Sequence, residues 1–361
     1  MTATFYGDIM GLNLATGDDI MYKKSIKLGD ITTGHIQGIA TDRERQYMYY
    51  SFTTCLIKTD MDGNIVGSVK GLAGHLGCIA YNYDDGRVYG SLEFKHDQIG
   101  IGILKRINQG SESDVDVTDG FYVAIFDVEK IDRTDMDAEK DGVMTAVHLS
   151  EVLDDYTAEG HRHGCSGIDG ITFAPVAASS DIRKYLYVAY GIYSDTDRDD
   201  NDCQVILRYD ISDWQRFEKP LNQSAMHKSG PDKPDGKYFV YTGNTAYGIQ
   251  NLEYDEATGY MFAAVYQGEK EKFPNYPMFV IDMNKPSRCQ QGAEYLSLAQ
   301  TGIRDDASGI WGMDFPYGAT GMISLGDGLF YFSRDYGDDK SWGTDIGLYK
   351  FDANSGIFEK I

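Results

Sequence analysis

Proline is scarce in this chain, 8 of 361 residues, and cysteine scarcer, at 5. Cys55, Cys78, Cys165, Cys203 and Cys289 are scattered, odd in number and never in C-x-x-C spacing, which argues against a disulfide framework or a zinc knuckle. Reduced thiols in a cytoplasm are the expected state. Basic residues are also few. Lys and Arg total 33 against 56 Asp and Glu, a formal net charge of −23, so phosphate backbones and anionic lipid are repelled and nucleic acid is excluded as a partner. No stretch approaches the roughly 20 apolar residues that span a bilayer, so no membrane role is expected. Met1 to Tyr6 lacks the basic start and apolar run of a signal peptide, which points to a cytoplasmic protein. A chain whose export signal had been removed would begin in the same way.

A long helical period is missing too, and in its place there is a repeat. A first strand recurs as Gly38–Asp42, Cys78–Asn82, Ile171–Phe173, Asn251–Asp255 and Met322–Leu325, each followed by a polar turn. An aromatic second strand follows at Tyr47–Tyr50, Val88–Ser91, Tyr185–Val188, Tyr260–Ala263 and Leu329–Phe332. A third strand ends on aspartate in every unit, at Asp60, Asp127, Asp210, Asp282 and Asp352. Such an aspartate starts a turn because its carboxylate accepts from amides one or two residues on. The 41 glycines punctuate the strands, and the 27 tyrosines suit half-buried sheet surfaces, so the tyrosine stripe is core rather than a binding box.

One antiparallel sheet of three or four strands cannot bury both of its faces. Five packed around an axis can, and only short edges remain. The fold expected is therefore all-β, a single β-propeller domain over 1–361 with about five four-stranded blades starting near 34, 74, 165, 247 and 319. Residues 1–33 carry Ile9–Leu14 and Tyr22–Leu28, strands without a matching first strand, which either aid ring closure or form a partial sixth blade. A β-sandwich would not explain five aligned aspartates. The insertions 96–120, 131–163, 193–203 and 215–245 are expected to be loops, and loops on propellers carry function.

The first strand of each blade lines the channel, so the residues just before it converge at one mouth. Gly34-His35-Ile36-Gln37 and Gly74-His75-Leu76-Gly77 repeat one pattern there, and His161-Arg162-His163 lies near the equivalent place in a third unit. His35, His75 and His163 are thus the candidate catalytic and metal-binding residues, since three imidazoles can hold Mn, Fe or Zn with one position open. The blander alternative is that they bond channel carbonyls. Gln37, Asp169, Asn244, Tyr247, Gln250, Asn251 and Trp311 are expected at the same mouth as groups binding a small polar or carbohydrate ligand, and the Asn and Asp among them could instead hold an axial calcium. Glu93 and His96, at the end of a second strand, form a candidate acid–base pair or an ordinary surface pair. Asp195–Asp202 alternates carboxylates but fails the EF-hand pattern, because Asp200 replaces the turn glycine and Ile206 the bidentate glutamate. Ser166 lacks a nucleophile-elbow context.

From about residue 34 to 361 the repeated units resemble bacterial β-propellers. Histidines at the axis are similar in kind to those of oligogalacturonate-lyase-like polysaccharide lyases, where they hold a metal that neutralises a uronate carboxylate. Calcium-centred lactonase and phosphotriesterase-like propellers are the second comparison, through Asn244, Asn251 and Asp169, with the histidines departing from their pattern. No contiguous motif is shared, so no residue role is transferred. The resemblance implies a metal-dependent lyase or hydrolase. A non-catalytic scaffold binding protein or glycan is the alternative.

Overall fold

A computed structural model describes residues 22–31, 34–107, 118–338 and 341–361. Five sheets form a ring. Blade I runs antiparallel through Ile36–Thr41, Tyr47–Phe52, Cys55–Asp60 and Ile65–Lys70. Blade II contains His75–Asn82, Arg87–Phe94, Gly120–Phe126 and Met144–His148, and blade III Cys165–Ala174, Tyr185–Ile192, Cys203–Tyr209 and Gly236–Tyr241. Blade IV has Thr245–Asp255, Tyr260–Gln267 and Met278–Asp282, its outer position marked by single bridges from Leu298 and Met313.

Blade V is built from Met322–Gly326, Leu329–Phe332 and the long strand Ser341–Asp352. Its outer edge is shared by the two ends of the described chain. Ser25–Ile31 pairs with the first half of Ser341–Asp352 and Ile357–Lys360 with the second. The segment carrying Tyr22–Leu28 therefore closes the ring and does not start a sixth blade. Ile9–Leu14 lies outside the described residues.

The repeat drives this arrangement through its apolar faces. Five buried clusters fill the five seams between neighbouring blades. In the seam of blades IV and V, for example, the Phe262 ring meets Phe330 and Phe351 with centroids 5.0 Å apart. Each such ring contributes about 1.5–3 kcal/mol by leaving water. Four of the terminal aspartates do what their position predicts: Asp60, Asp210, Asp282 and Asp352 each accept the amide two residues on, at 2.8–3.1 Å. Asp127 differs, pairing with Lys130 at 2.7 Å.

Two of the expected loops are more than loops. Residues 131–163 supply the outer strand of blade II and the helix Ser150–Thr157, and residues 215–245 supply the outer strand of blade III. These strands were hidden because they lack the aromatic signature of the second strand and the aspartate of the third.

Candidate functional site

Four innermost strands share a device near their starts. The register slips between Ile36 and Gly38, between Leu76 and Ile79, between Ile168 and Ile171, and between Ile249 and Asn251. A bulge leaves a residue unpaired and re-aims its side chain, which is why bulges gather at sites. The residues caught in these slips are Gln37, Gly77 and Cys78, Asp169 and Gly170, and Gln250.

At this level a chain of charges crosses the seam between blades II and III. Glu93, at the end of the second strand of blade II, faces His75 across the register and lies 3.5 Å from its Nδ1. The other Glu93 oxygen accepts the amide of Ile168 in blade III at 3.0 Å. Lys95 Nζ sits 2.6 Å from Glu93 and donates to the carbonyl of Ser166 at 2.9 Å, with Asp97 3.4 Å away. Glu93 and Lys95 are each 5% exposed, and burial this deep is rare for such groups unless they are paired. The cluster fits because glycines make room: a Cβ on Gly167 would sit 1.9 Å from a Glu93 oxygen, and one on Gly77 2.1 Å from Asp169 Oδ1.

The charges set one another's protonation. Burial opposes the Glu93 anion, yet Lys95 and His75 outweigh it and hold Glu93 below the usual carboxylate range. Burial likewise opposes the His75 cation, but Glu93 and Asp169 raise this imidazole above its ordinary value. Among the described residues Asp169 has only the Cys78 amide as a direct donor, at 3.3 Å. Burial, with the Glu93 charge adding, pushes it up to about 7. Burial thus raises Asp169 and the neighbouring acids raise His75, while Glu93 and Lys95 hold each other as an ion pair.

A separate pocket of about 740 Å³ lies between blades IV and V, lined by Tyr266, Tyr317, Thr320, Arg334, Asp335 and Tyr336 among others. Tyr266 connects the two regions electrostatically. Burial, then the charges of Asp169 and Asp335, push its phenol up to about 12. Burial raises Asp335 to about 6.

The expected residues divide. His75, Asp169, Gln37 and Gln250 stand at the bulged mouth. Gln37 reaches His35 Nε2 at 3.2 Å and Thr53 at 3.3 Å, and Gln250 donates to the Tyr247 carbonyl at 3.0 Å. Tyr247 has φ +62° and is 44% exposed at the start of the blade IV inner strand. His35 packs on Trp342 with centroids 5.7 Å apart. Asn251 is fully engaged as a plug: its amide donates to the Gln37 carbonyl at 2.8 Å and the Ala319 carbonyl at 2.9 Å, and its oxygen takes the Cys78 thiol at 3.3 Å. Asn244 is buried beneath the Lys270 amide.

Two expectations are corrected by position. His163 lies against Phe239 of the outer strand of blade III, centroids 5.0 Å apart, and not with the axial histidines. The four-residue offset from alignment moves it into the turn before the innermost strand, Arg162–Gly164. Trp311 pairs with Arg304 in a two-residue ladder next to Met313, which bridges the third strand of blade IV, so it belongs to that blade's outer edge. The three imidazoles thus stand in three different surroundings, and among the described residues no three His, Cys, Asp or Glu side chains converge as a metal cage. The donor set does not fit the three-histidine metal.

The acidic run also has its own answer. The Lys270 ammonium is buried among Asp202 Oδ1, the Arg198 carbonyl and Asn201 Oδ1, the last at 2.7 Å. A side-chain cation occupies the place where a calcium reading would put the ion. His96, paired with Asp119 at 3.0 Å, is 52% exposed and separate from Glu93.

Lys95, Tyr266 and Asp335 lie away from the first-strand starts that point to most of the mouth residues. The ends of second strands reach the same mouth. Glu93-Phe94-Lys95, two charges on one face of an otherwise aromatic strand, was the available signal.

No protein-family model and no curated protein sequence matches the chain. Among solved structures it is similar to a functionally unknown protein from Desulfotomaculum acetoxidans, with 10% identity over 92% of this chain and 70% of that one and a TM-score of 0.39. It is similar to Myxococcus xanthus glutaminyl cyclase, with 11% identity over 90% and 95% and a TM-score of 0.38. A structure described as a candidate gluconolactonase has 12% identity over 94% and 93%, with a TM-score of 0.33. The chain is a five-bladed β-propeller.

Proposed function

We propose that this propeller is an enzyme that moves a proton to or from a small polar substrate at the bulged mouth of its channel, with Asp169 and His75 as the acid–base pair. The observation that supports this reading is the buried row Asp169, His75, Glu93 and Lys95, set on a bulge and made room for by Gly77 and Gly167. A purely structural seam would fill this space with apolar side chains at less desolvation cost. Glu93 is the positioning residue: it holds His75 and is held by Lys95 and the Ile168 amide. Asp169, with a value near neutrality, suits general acid–base work, which typically contributes 10²–10⁴-fold. Proton abstraction beside a carbonyl and hydrolysis of a lactone, ester or glycoside all fall within this chemistry.

The test is turnover of a panel of lactones, esters, glycosides and uronate oligosaccharides by the wild type, Asp169→Asn and His75→Gln, each checked for intact folding. We expect both variants to lose roughly 10²-fold or more in kcat, with a bell-shaped wild-type pH profile. Wild-type turnover in both variants would sink the pair's role, and ligand binding without turnover by any form would favour a binding scaffold.

A further inference from the structure

Sheet register orders the wall that blade V contributes to the pocket between blades IV and V. Asp335–Asp338 and Ser25–Ile31 flank the first half of Ser341–Asp352. Asp345 stands opposite Lys27 on one flank and exchanges both backbone hydrogen bonds with Arg334 on the other. Further along the same strands, Tyr336 stands opposite Gly343. Side chains alternate along a strand, so Arg334, Asp345, Lys27, Tyr336 and Gly343 share one face, and the first four line the pocket.

Gly343 lets the Tyr336 ring lie down on this sheet. A Cβ on Gly343 would fall 2.6 Å from the ring, and one on Gly29 of the neighbouring strand 3.5 Å from its hydroxyl. One ring face is thus seated on glycine backbone, and with the residue 51% exposed the other is open. Beside the ring runs a row of hydrogen-bonding groups. Arg334 covers the Tyr317 ring and reaches the Tyr349 hydroxyl. Its distance to Asp345, 3.9 Å, is beyond hydrogen-bond range, so the guanidinium keeps N–H groups to spare. Asp345 accepts the Ser25 hydroxyl with one oxygen. Lys27 and Asp314 are exposed at the rim. Asp335 takes no part, since its carboxylate accepts from the Thr344 and Thr320 hydroxyls and the Ile36 amide. Lys27 and Arg334 therefore balance Asp314 and Asp345, and the lining is neutral.

A ligand for this wall needs an apolar face for Tyr336, an edge of donors and acceptors for the row beside it, and no net charge. A charged ligand would be desolvated without a net counter-charge. A plain aromatic would cover the ring but leave the desolvated row unpaired. A neutral sugar meets all of these needs, because the C–H groups of its ring are apolar and its hydroxyls both donate and accept. We propose that the pocket between blades IV and V binds a neutral sugar residue, stacked on Tyr336 and hydrogen-bonded to Arg334 and Asp345. The site is separate from the Asp169–His75 row and does not depend on it. At about 740 Å³ the pocket has the size of small-ligand clefts.

The experiment is ligand-observed NMR titration of the full chain with methyl glucoside, methyl galactoside and methyl mannoside. Glucuronate, glucosamine and phenol are the comparison probes, and the proteins are wild type, Tyr336→Phe, Tyr336→Leu, Asp345→Asn and Asp169→Asn. Saturable binding of at least one neutral glycoside is expected, roughly tenfold tighter than either charged sugar and insensitive to added salt. Tyr336→Phe keeps the ring and should bind as the wild type does. Tyr336→Leu still covers Gly343 but offers no flat face, so it should weaken binding roughly fivefold or more. Asp345→Asn should weaken it several-fold, and Asp169→Asn should leave it intact. Thermal melts check that each variant folds, and Tyr336→Leu and Asp345→Asn each decide the point alone. No saturable binding of any neutral glycoside, equal binding of a charged sugar or phenol, or wild-type affinity in Tyr336→Leu or Asp345→Asn would overturn the assignment. Those outcomes leave the Asp169–His75 reading standing, because that reading is measured by turnover in different variants.

Discussion

The two ends of the central channel carry acids displaced in the same direction, but their surroundings treat them oppositely. At one end Glu253 faces a cavity of only about 40 Å³, walled by Tyr81, Tyr83 and Lys184 among others. Its oxygens accept the Ser324 amide at 2.8 Å and, more loosely, the Thr172 hydroxyl at 3.5 Å, while the Ser324 hydroxyl turns to Asp255 at 2.7 Å. Burial pushes Glu253 up to about 8, and the bonds its oxygens accept tie blades III, IV and V together. At the other end Asp169 is raised as well, and so is Asp335, which lines a pocket nearly twenty times larger. Between them sits Asn251, bonded to blades I, II and V. A shifted carboxyl group therefore does not mark a site by itself. Packed closed around its partners, as Glu253 is, it is a fastening.

The largest effect expected from breaking this contrast is at the open end. Glu93→Gln leaves Lys95 buried without its main partner and should cost about 3–5 kcal/mol in urea denaturation. The double variant Glu93→Gln/Lys95→Met should recover most of that loss, whereas a double variant as unstable as the single one would show that the pair is not an independent unit. Next comes the plug. Asn251→Ala removes hydrogen bonds to three other blades and leaves two buried carbonyls short of a donor, for a loss of about 2–3 kcal/mol by the same measurement.

The closed end predicts a smaller effect with a particular pH dependence. Glu253 holds its proton in the folded state up to about pH 8, while the unfolded chain releases it near the ordinary glutamate value, so the folded state binds more protons between those limits. Its contribution is fully present below the ordinary value and is lost as pH rises through about 8. Glu253→Gln keeps the neutral form, so it should match the wild type at low pH and exceed it by about 1–3 kcal/mol at higher pH. A stability difference that does not change with pH would contradict this assignment. The smallest effect belongs outside both ends: His96→Gln breaks only an exposed pair with Asp119 and should stay within about 0.5 kcal/mol of the wild type.

Much of the architecture was readable because a repeat states its rule five times. The aromatic second strands and the closing aspartates align, and each rests on a local cause, pleated packing in one case and an Asx turn in the other. The placement of His75 and Asp169 at the bulged starts of first strands was readable too, since a residue near the start of a first strand must lie near the axis once the ring closes. His163 and Trp311 failed on the same logic. His163 stood four residues out of alignment, and Trp311 preceded an innermost strand in sequence while its ladder joined the outer edge of blade IV. Their side chains gave no warning, because a histidine or tryptophan before a strand reads alike in either place.

What the sequence determined by itself is the ring: strand period, turn chemistry and apolar faces are local properties, and five copies with two faces to bury have few other ways to bury them. The candidate site was decided only by tertiary structure. Glu93, Lys95 and Ser166 come together across a seam, Asp169 is aimed by a bulge whose register depends on the neighbouring strand, and Asp335 meets Tyr266 only where two blades leave a gap. Those relations arise between blades, where protonation depends on distance and burial rather than on residue order.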